Sequence, residues 1–107
     1  MRDAAPLLAL LADVSAAEPP ENLSRPLQAL WWLNKGKLAN GPEWQRAHTL
    51  CQEDEGDADH DIVHALVHWV EGDMSNAAYW YRRAAQTRAG SLPEEWLRIA
   101  RLLAPTA

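Results

Sequence analysis

The stretch of sequence that decides the fold runs from Asp59 to Ala85 and reads DHDIVHALVHWVEGDMSNAAYWYRRAA. Its apolar residues recur with helical spacing on both sides of Gly72-Asp73, so it predicts two helices joined by a tight turn. On the first helix the apolar side chains fill an arc of about 200°, and a histidine ridge occupies about 80° on the other side. This histidine ridge consists of His60, His64, His68 and Glu71.

Capping and turn residues predict further helices on both sides of this pair. Asp3 and Ser24 are suited to cap two helices ahead of it, and a third is predicted over about Pro42 to Asp54. Ser91 and Glu94 have the spacing of a capping box, which starts the last helix. The predicted fold class is therefore all-α, with five or six helices in stacked antiparallel hairpins.

The length of 107 residues fits one domain, residues 1–107. Two helical hairpins form its middle, and one helix lies at each end. The predicted segments are an N-terminal helix and linker at 1–23, a first hairpin at 24–55, a second hairpin at 57–89 and a C-terminal capping helix at 91–104.

The composition limits the partners and the compartment. A net charge of −5 argues against a nucleic-acid ligand, because affinity for nucleic acid comes mainly from Lys and Arg. No apolar run approaches the ~20 residues of a membrane span, and Asp13 ends the N-terminal leucine-rich run too early for a secretion signal. The single cysteine, Cys51, cannot form an internal disulfide, so a cytoplasmic protein is expected. Six tryptophans predict partly exposed indoles and favour a homodimer or an apolar groove.

An internal repeat supports the arrangement in hairpins. At an offset of 36 residues the chain matches itself without a gap over a whole helix pair. A period in this range is typical of stacked helix-turn-helix units. The offset predicts two superposable helix pairs with equivalent glycine turns. The matched residues are Ala29 with Ala65, Leu30 with Leu66, Gly36 with Gly72, Asn40 with Asn76, Trp44 with Trp80 and Arg46 with Arg82.

The second helix pair resembles a tetratricopeptide repeat when residues are counted from its turn at Gly72. His64 and His68 depart from that family, which usually has leucine and tyrosine at these positions. The resemblance implies a scaffold that binds peptides or proteins. The segment 44–83 is also similar to a group of small uncharacterised bacterial helical proteins. The positions that match the repeat family are Ala65, Ala77, Tyr81 and Ala84.

The histidine ridge is the clearest candidate for chemistry. His64 and His68 lie one helical turn apart and Glu71 follows three residues later, a spacing that can present all three to one metal ion, such as zinc or iron. Asp73 adds a carboxylate at the turn, and His48 can approach from an inward face of the third helix. We therefore expect these five residues around one pocket between the third, fourth and fifth helices. The alternatives are a solvated face, core histidines bonded to carboxylates, or metal-free acid–base chemistry.

Two other groups of residues are weaker candidates. Cys51 follows His48 by one helical turn, but an inward position at this spacing is more typical of core, where free cysteine behaves as a small hydrophobe. The aromatic and basic run after Ala78 can serve a partner. The residues expected to contact that partner are Tyr79, Trp80, Arg82 and Arg83.

Two functions are compatible with the sequence. The first is a binding module whose partner is a peptide, a protein or a second copy of the chain, and it rests on the repeat and the tryptophans. The second is a metal-dependent or acid–base enzyme that uses His64, His68 and Glu71. A stoichiometric transition metal in the purified protein distinguishes the second from the first.

Overall fold

The computed structural model describes residues 4–105, and within that range the chain forms six α-helices and no β-strand. This confirms the predicted all-α class with six helices. The third helix is shorter than expected, because the chain leaves α-helical geometry after Cys51 and continues as a 3₁₀ turn, Gln52–Asp54. The predicted cap at Asp3 lies outside the described residues. The helices are α1 (Ala5–Ala12), α2 (Arg25–Lys35), α3 (Pro42–Cys51), α4 (Ala58–Glu71), α5 (Met74–Arg83) and α6 (Leu92–Leu102).

Helix α4 is the central helix of the fold. It packs against α2, α3, α5 and α6, and every side chain from His60 to His68 is buried. The interpretation of the histidine ridge as a solvated face is therefore wrong, because neighbouring helices cover both sides of α4. A helical wheel shows which residues share a face, but the number of neighbours decides whether a polar face meets water.

A two-residue turn connects α4 to α5. Gly72 ends α4 in the left-handed region, with φ 86°, where a residue without a Cβ is favoured. Asp73 then caps α5, since its side chain accepts a hydrogen bond from the backbone N–H of Asn76. The short turn forces the two helices to run antiparallel in close contact, as the sequence predicts.

The two hairpins differ at the turns that the 36-residue offset makes equivalent. Gly36 follows α2 as Gly72 follows α4, but Gly36 has φ −82° and the left-handed residues are Lys37 and Leu38. Residues 36–41 separate α2 from α3, whereas residues 72–73 suffice between α4 and α5. The sequence match therefore identifies corresponding glycines but not the same turn geometry, and a tetratricopeptide-like stacking stays a prediction.

The tryptophans connect helices as well as filling the core. As expected, some indoles are partly exposed: Trp69 and Trp96 are half-buried, while the other four are buried. Three indole N–H groups donate hydrogen bonds to backbone carbonyls of other elements. These bonds are Trp31 to Asp13 at 2.9 Å, Trp44 to Val67 at 2.8 Å and Trp96 to Leu30 at 2.9 Å.

No helix among residues 4–105 combines the length and the apolar character needed to cross a membrane.

Candidate functional site

Three histidines from two helices lie in mutual contact. The ring centroid of His48, on α3, is 5.1 Å from that of His64 and 5.2 Å from that of His68, both on α4. The His64 and His68 rings are 4.8 Å apart and almost parallel, at an interplanar angle of 25°. One ring nitrogen of each histidine lies within 4.8 Å of the other two. The structure thus brings together all three histidines of the expected pocket, which we call the histidine cluster.

Two indoles flank the histidine cluster. Trp80 of α5 stacks on His64 with ring centroids 4.0 Å apart, and Trp44 of α3 stacks on His48 at 5.0 Å. Trp44 is fixed in turn by its hydrogen bond to the carbonyl of Val67. Because both indoles are buried, they pack against the imidazoles and limit the access of water from two sides.

Glu71 orients the third imidazole. Its Oε1 atom bonds to Nδ1 of His68, and the amide of Asn76 lies 3.4 Å from the same nitrogen. When His68 Nδ1 carries the proton donated to this carboxylate, Nε2 is left with a free lone pair. This arrangement is typical of histidines that bind a metal through the other ring nitrogen.

His64 has a buried ring nitrogen with no partner. The side chain is only 2% exposed, and its Nδ1 atom makes no hydrogen bond within the described part of the chain. Burial lowers the pKa of His64 to about 3, and the neighbouring His68 and His48 add to this effect because a second positive charge would be repelled. His64 is therefore neutral at pH 7.

His48 forms the more open edge of the cluster, since it is half-buried. Burial is the main cause that lowers its pKa, and His68 adds to it, while Glu71 and Glu55 act in the opposite direction. A lowered pKa means that protons compete less for the ring at neutral pH. His48 and His64 are thus suited to act as neutral ligands.

The lowered histidine pKa values predict a loss of stability in mild acid. As the pH falls through 6.5, the unfolded chain protonates His64, but the folded protein does not until about pH 3, so the free energy of unfolding decreases. In the presence of a chelator, wild type should lose about 2 kcal/mol more than the His64→Leu variant between pH 7 and pH 5. Urea unfolding at both pH values measures this difference. Equal losses in the two proteins would contradict it.

Two other polar residues of this region have structural partners instead. Asp73 is exposed and caps α5, although one of its oxygens also lies within 4.8 Å of ligand atoms of His68 and Glu71. His60, the first member of the histidine ridge, bonds to Asp57, the cap of its own helix, at 2.7 Å. Asp73 therefore lies at the rim of the expected pocket, and His60 belongs to the helix start.

Cys51 is a core residue, as its inward position on the third helix predicts. It is fully buried, and burial raises the pKa of its thiol, with the nearby Asp61 acting in the same direction. Since the thiolate is the nucleophilic form, this environment disfavours catalysis by Cys51.

The expected partner-binding residues divide between core and surface. Trp80 is buried against His64, so it is not available to a partner. Tyr79 is 43% exposed, and its hydroxyl accepts a hydrogen bond from Arg83 at 2.9 Å. Arg82 is exposed. Of the four residues expected to contact a partner, the three on the surface are Tyr79, Arg82 and Arg83.

Sequence reasoning missed a fully buried carboxylate on α6. Glu95 accepts two hydrogen bonds from Arg98, at 2.7 and 2.9 Å, and one from the Tyr81 hydroxyl at 2.7 Å. The backbone N–H of Ala89 donates a fourth, at 3.2 Å. Burial and the bond to Glu95 raise the pKa of Tyr81, so its hydroxyl stays protonated. The three-residue spacing of Glu95 and Arg98 on a helix indicates an ion pair, but this spacing does not indicate that the pair is buried.

No protein-family model, no curated protein and no solved structure matches this chain. A function has to be inferred from the geometry of the site, because a fold alone does not specify one. The resemblance to tetratricopeptide repeats and to small bacterial helical proteins stays a prediction.

Proposed function

We propose that the protein binds a divalent transition metal through the histidine cluster, His48, His64 and His68. The observation that supports this most is the buried Nδ1 of His64, which has no hydrogen-bond partner. Leaving such an atom unpaired costs about 1–3 kcal/mol, and native proteins rarely keep one without an ion or water nearby. A metal ion in the cluster would accept the lone pairs of the ring nitrogens, so no histidine would need to be protonated.

The ligand types favour a metal of intermediate softness. Imidazole nitrogen suits zinc, copper(II), nickel and iron, whereas calcium and magnesium prefer oxygen ligands. The histidines are supplied by two helices that pack directly on each other, α3 and α4. Binding would therefore connect the two hairpins through the metal as well as through the core.

The rings need to move slightly to bind an ion. Zinc bonds to imidazole at about 2.0–2.1 Å, so tetrahedral ligand nitrogens lie about 3.3 Å apart, closer than the 4.8 Å within which these nitrogens lie. A metal also lies in the plane of each ring it binds, and the near-parallel rings of His64 and His68 cannot both point at one ion. Rotation about the terminal histidine torsion, which has a broad energy minimum, provides this adjustment.

Glu71 has a different role in this proposal from the one that the sequence indicates. Its carboxylate bonds to Nδ1 of His68, so it orients a ligand instead of being one. A carboxylate at this position fixes the tautomer and makes the other nitrogen more basic. The proposed metal ligands are therefore His48, His64 and His68, and Glu71 is a positioning residue.

The number of ligands bears on what the metal does. Three protein ligands leave one position of a tetrahedral zinc open, which is typical of catalytic sites, while structural sites are closed by a fourth ligand. His48 and Glu71 are only half-buried, so a small molecule can approach from that side. These features favour the metal-dependent enzyme over a purely structural metal.

We place this function in the cytoplasm. Cys51 is a free, fully buried thiol and requires no oxidising compartment. The proposed histidine site contains no thiolate, so it does not depend on the redox state of the chain.

Metal titration tests the proposed function. Metal-free protein should bind one zinc ion per chain with a Kd below about 1 µM in isothermal titration calorimetry. Cobalt(II) should give the visible absorption of a four-coordinate ion. His64 and His48 should release few protons on binding at pH 7, because their lowered pKa values keep them neutral.

The matched control is His60→Gln, which removes a histidine of the same helix outside the cluster. This variant should bind zinc as wild type does. Zinc binding that survives loss of all three cluster histidines, or the absence of binding by wild type at 100-fold zinc excess, would overturn the proposal.

A further inference from the structure

A groove of about 280 Å³ lies between α5 and the segment that follows it, residues 86–88. Most of its lining is apolar and includes Met74, Ala77 and Tyr81, and we call this apolar part the floor. Met74 is one of the few large apolar side chains that are exposed among the described residues, at 38%. Arg82 and Arg88 also line the groove, and both are exposed. We call this feature the arginine groove.

The charge of the arginine groove is opposite to that of the whole chain. The protein has 15 Asp and Glu against 10 Lys and Arg, yet no carboxylate among residues 4–105 lines this groove. Within residues 4–105, Arg25, Arg83 and Arg98 each pair with a carboxylate, whereas Arg82 and Arg88 form no such pair. Arg88 instead lies over the ring of Trp69, 4.8 Å from its centroid.

We infer that the arginine groove binds an acidic peptide segment of a partner protein, with one apolar side chain on the floor and carboxylates on Arg82 and Arg88. Guanidinium groups bind carboxylates in bidentate geometry, and two that lack a carboxylate partner select acidic flanks. The floor of alanine and methionine accepts a linear apolar side chain. This function is independent of the proposed metal site.

A second copy of the chain fits the groove less well. Its exposed acidic stretch, residues 52–59, offers carboxylates to the arginines but no large apolar side chain for the floor. Glu53 of that stretch is already paired with Arg25. The apolar floor therefore favours a different partner.

Peptide selection tests the inference. A display library of random 12-residue peptides is selected on wild-type protein, with depletion on the Arg82→Glu/Arg88→Glu double variant. We expect enriched peptides to carry Asp or Glu on both sides of one apolar residue. Synthetic copies should bind the double variant at least about 10-fold more weakly, and their affinity should fall with added salt.

Two further variants make the result specific. Thr87→Glu places a carboxylate in the groove without removing an arginine and should weaken binding similarly. Arg46→Glu reverses the charge of one exposed arginine outside the groove and should leave peptide binding within twofold of wild type. Failure to enrich acidic peptides, or equal binding by the double variant, would overturn the inference. So would self-association in light scattering that the double variant abolishes, since the groove would then hold a second copy.

Discussion

Replacing His64 with leucine is expected to lower zinc affinity at least about 100-fold without destabilising the metal-free protein. Loss of one of three ligands weakens the site, and a 100-fold loss corresponds to about 2.7 kcal/mol of binding free energy. The unpaired Nδ1 atom disappears with the ring, which is worth about 1–3 kcal/mol, while the lost stacking on Trp80 costs about 0.5–1.5 kcal/mol. Calorimetric titration with zinc and urea unfolding at pH 7 measure the two effects.

The Glu71→Gln variant should show a smaller loss of zinc affinity than His64→Leu. An amide can still accept a hydrogen bond from His68, but it stabilises the ring less, so zinc affinity should fall about 10- to 100-fold. A His64→Leu protein that binds zinc normally would exclude His64 as a ligand. A His64→Leu protein that is strongly destabilised would show that the ring is needed for packing, as in an ordinary core histidine.

Replacing Glu95 with leucine is expected to lower the free energy of unfolding by about 3–5 kcal/mol. The change leaves the buried Tyr81 hydroxyl and the N–H of Ala89 without their acceptor, and it removes both bonds to Arg98. Glu95→Gln keeps the size of the side chain and should cost less. Urea unfolding followed by circular dichroism measures the losses.

A matched carboxylate and a second substitution test the cause of that loss. Glu18→Gln, at an exposed glutamate, should change stability by less than about 0.5 kcal/mol. The effects of Glu95→Leu and Tyr81→Phe should not add, because each removes the same hydrogen bond. Additive effects would show that the two groups act independently.

The part of the fold that sequence predicts well is the part set by local rules. Helical periodicity and the turn at Gly72-Asp73 locate the α4–α5 hairpin from residues 59–85 alone. Ser91 forms its predicted capping box with Glu94 and starts α6. These signals depend on neighbours a few residues away, so no tertiary information is needed.

The site shows where local rules end. The spacing of His64 and His68 puts their rings together, and the inward face of α3 brings His48 to them. The wheel cannot show that α5 places Trp80 on His64, since this contact depends on the packing of α5 against α4. The burial of Glu95 likewise depends on the path of distant segments.

The indole bonds between elements explain the aromatic composition of the chain. It contains six tryptophans and no phenylalanine. A phenylalanine ring can also fill an apolar core, but it has no hydrogen-bond donor. The indole N–H of Trp31, Trp44 or Trp96 donates to a backbone carbonyl on another element. In a small all-helical protein, whose helices share no backbone hydrogen bonds, such a side chain gives the lateral connection that strands have in a sheet. Replacing these residues by phenylalanine would remove the hydrogen bonds between elements and, because a phenyl ring is smaller than an indole, would also leave cavities.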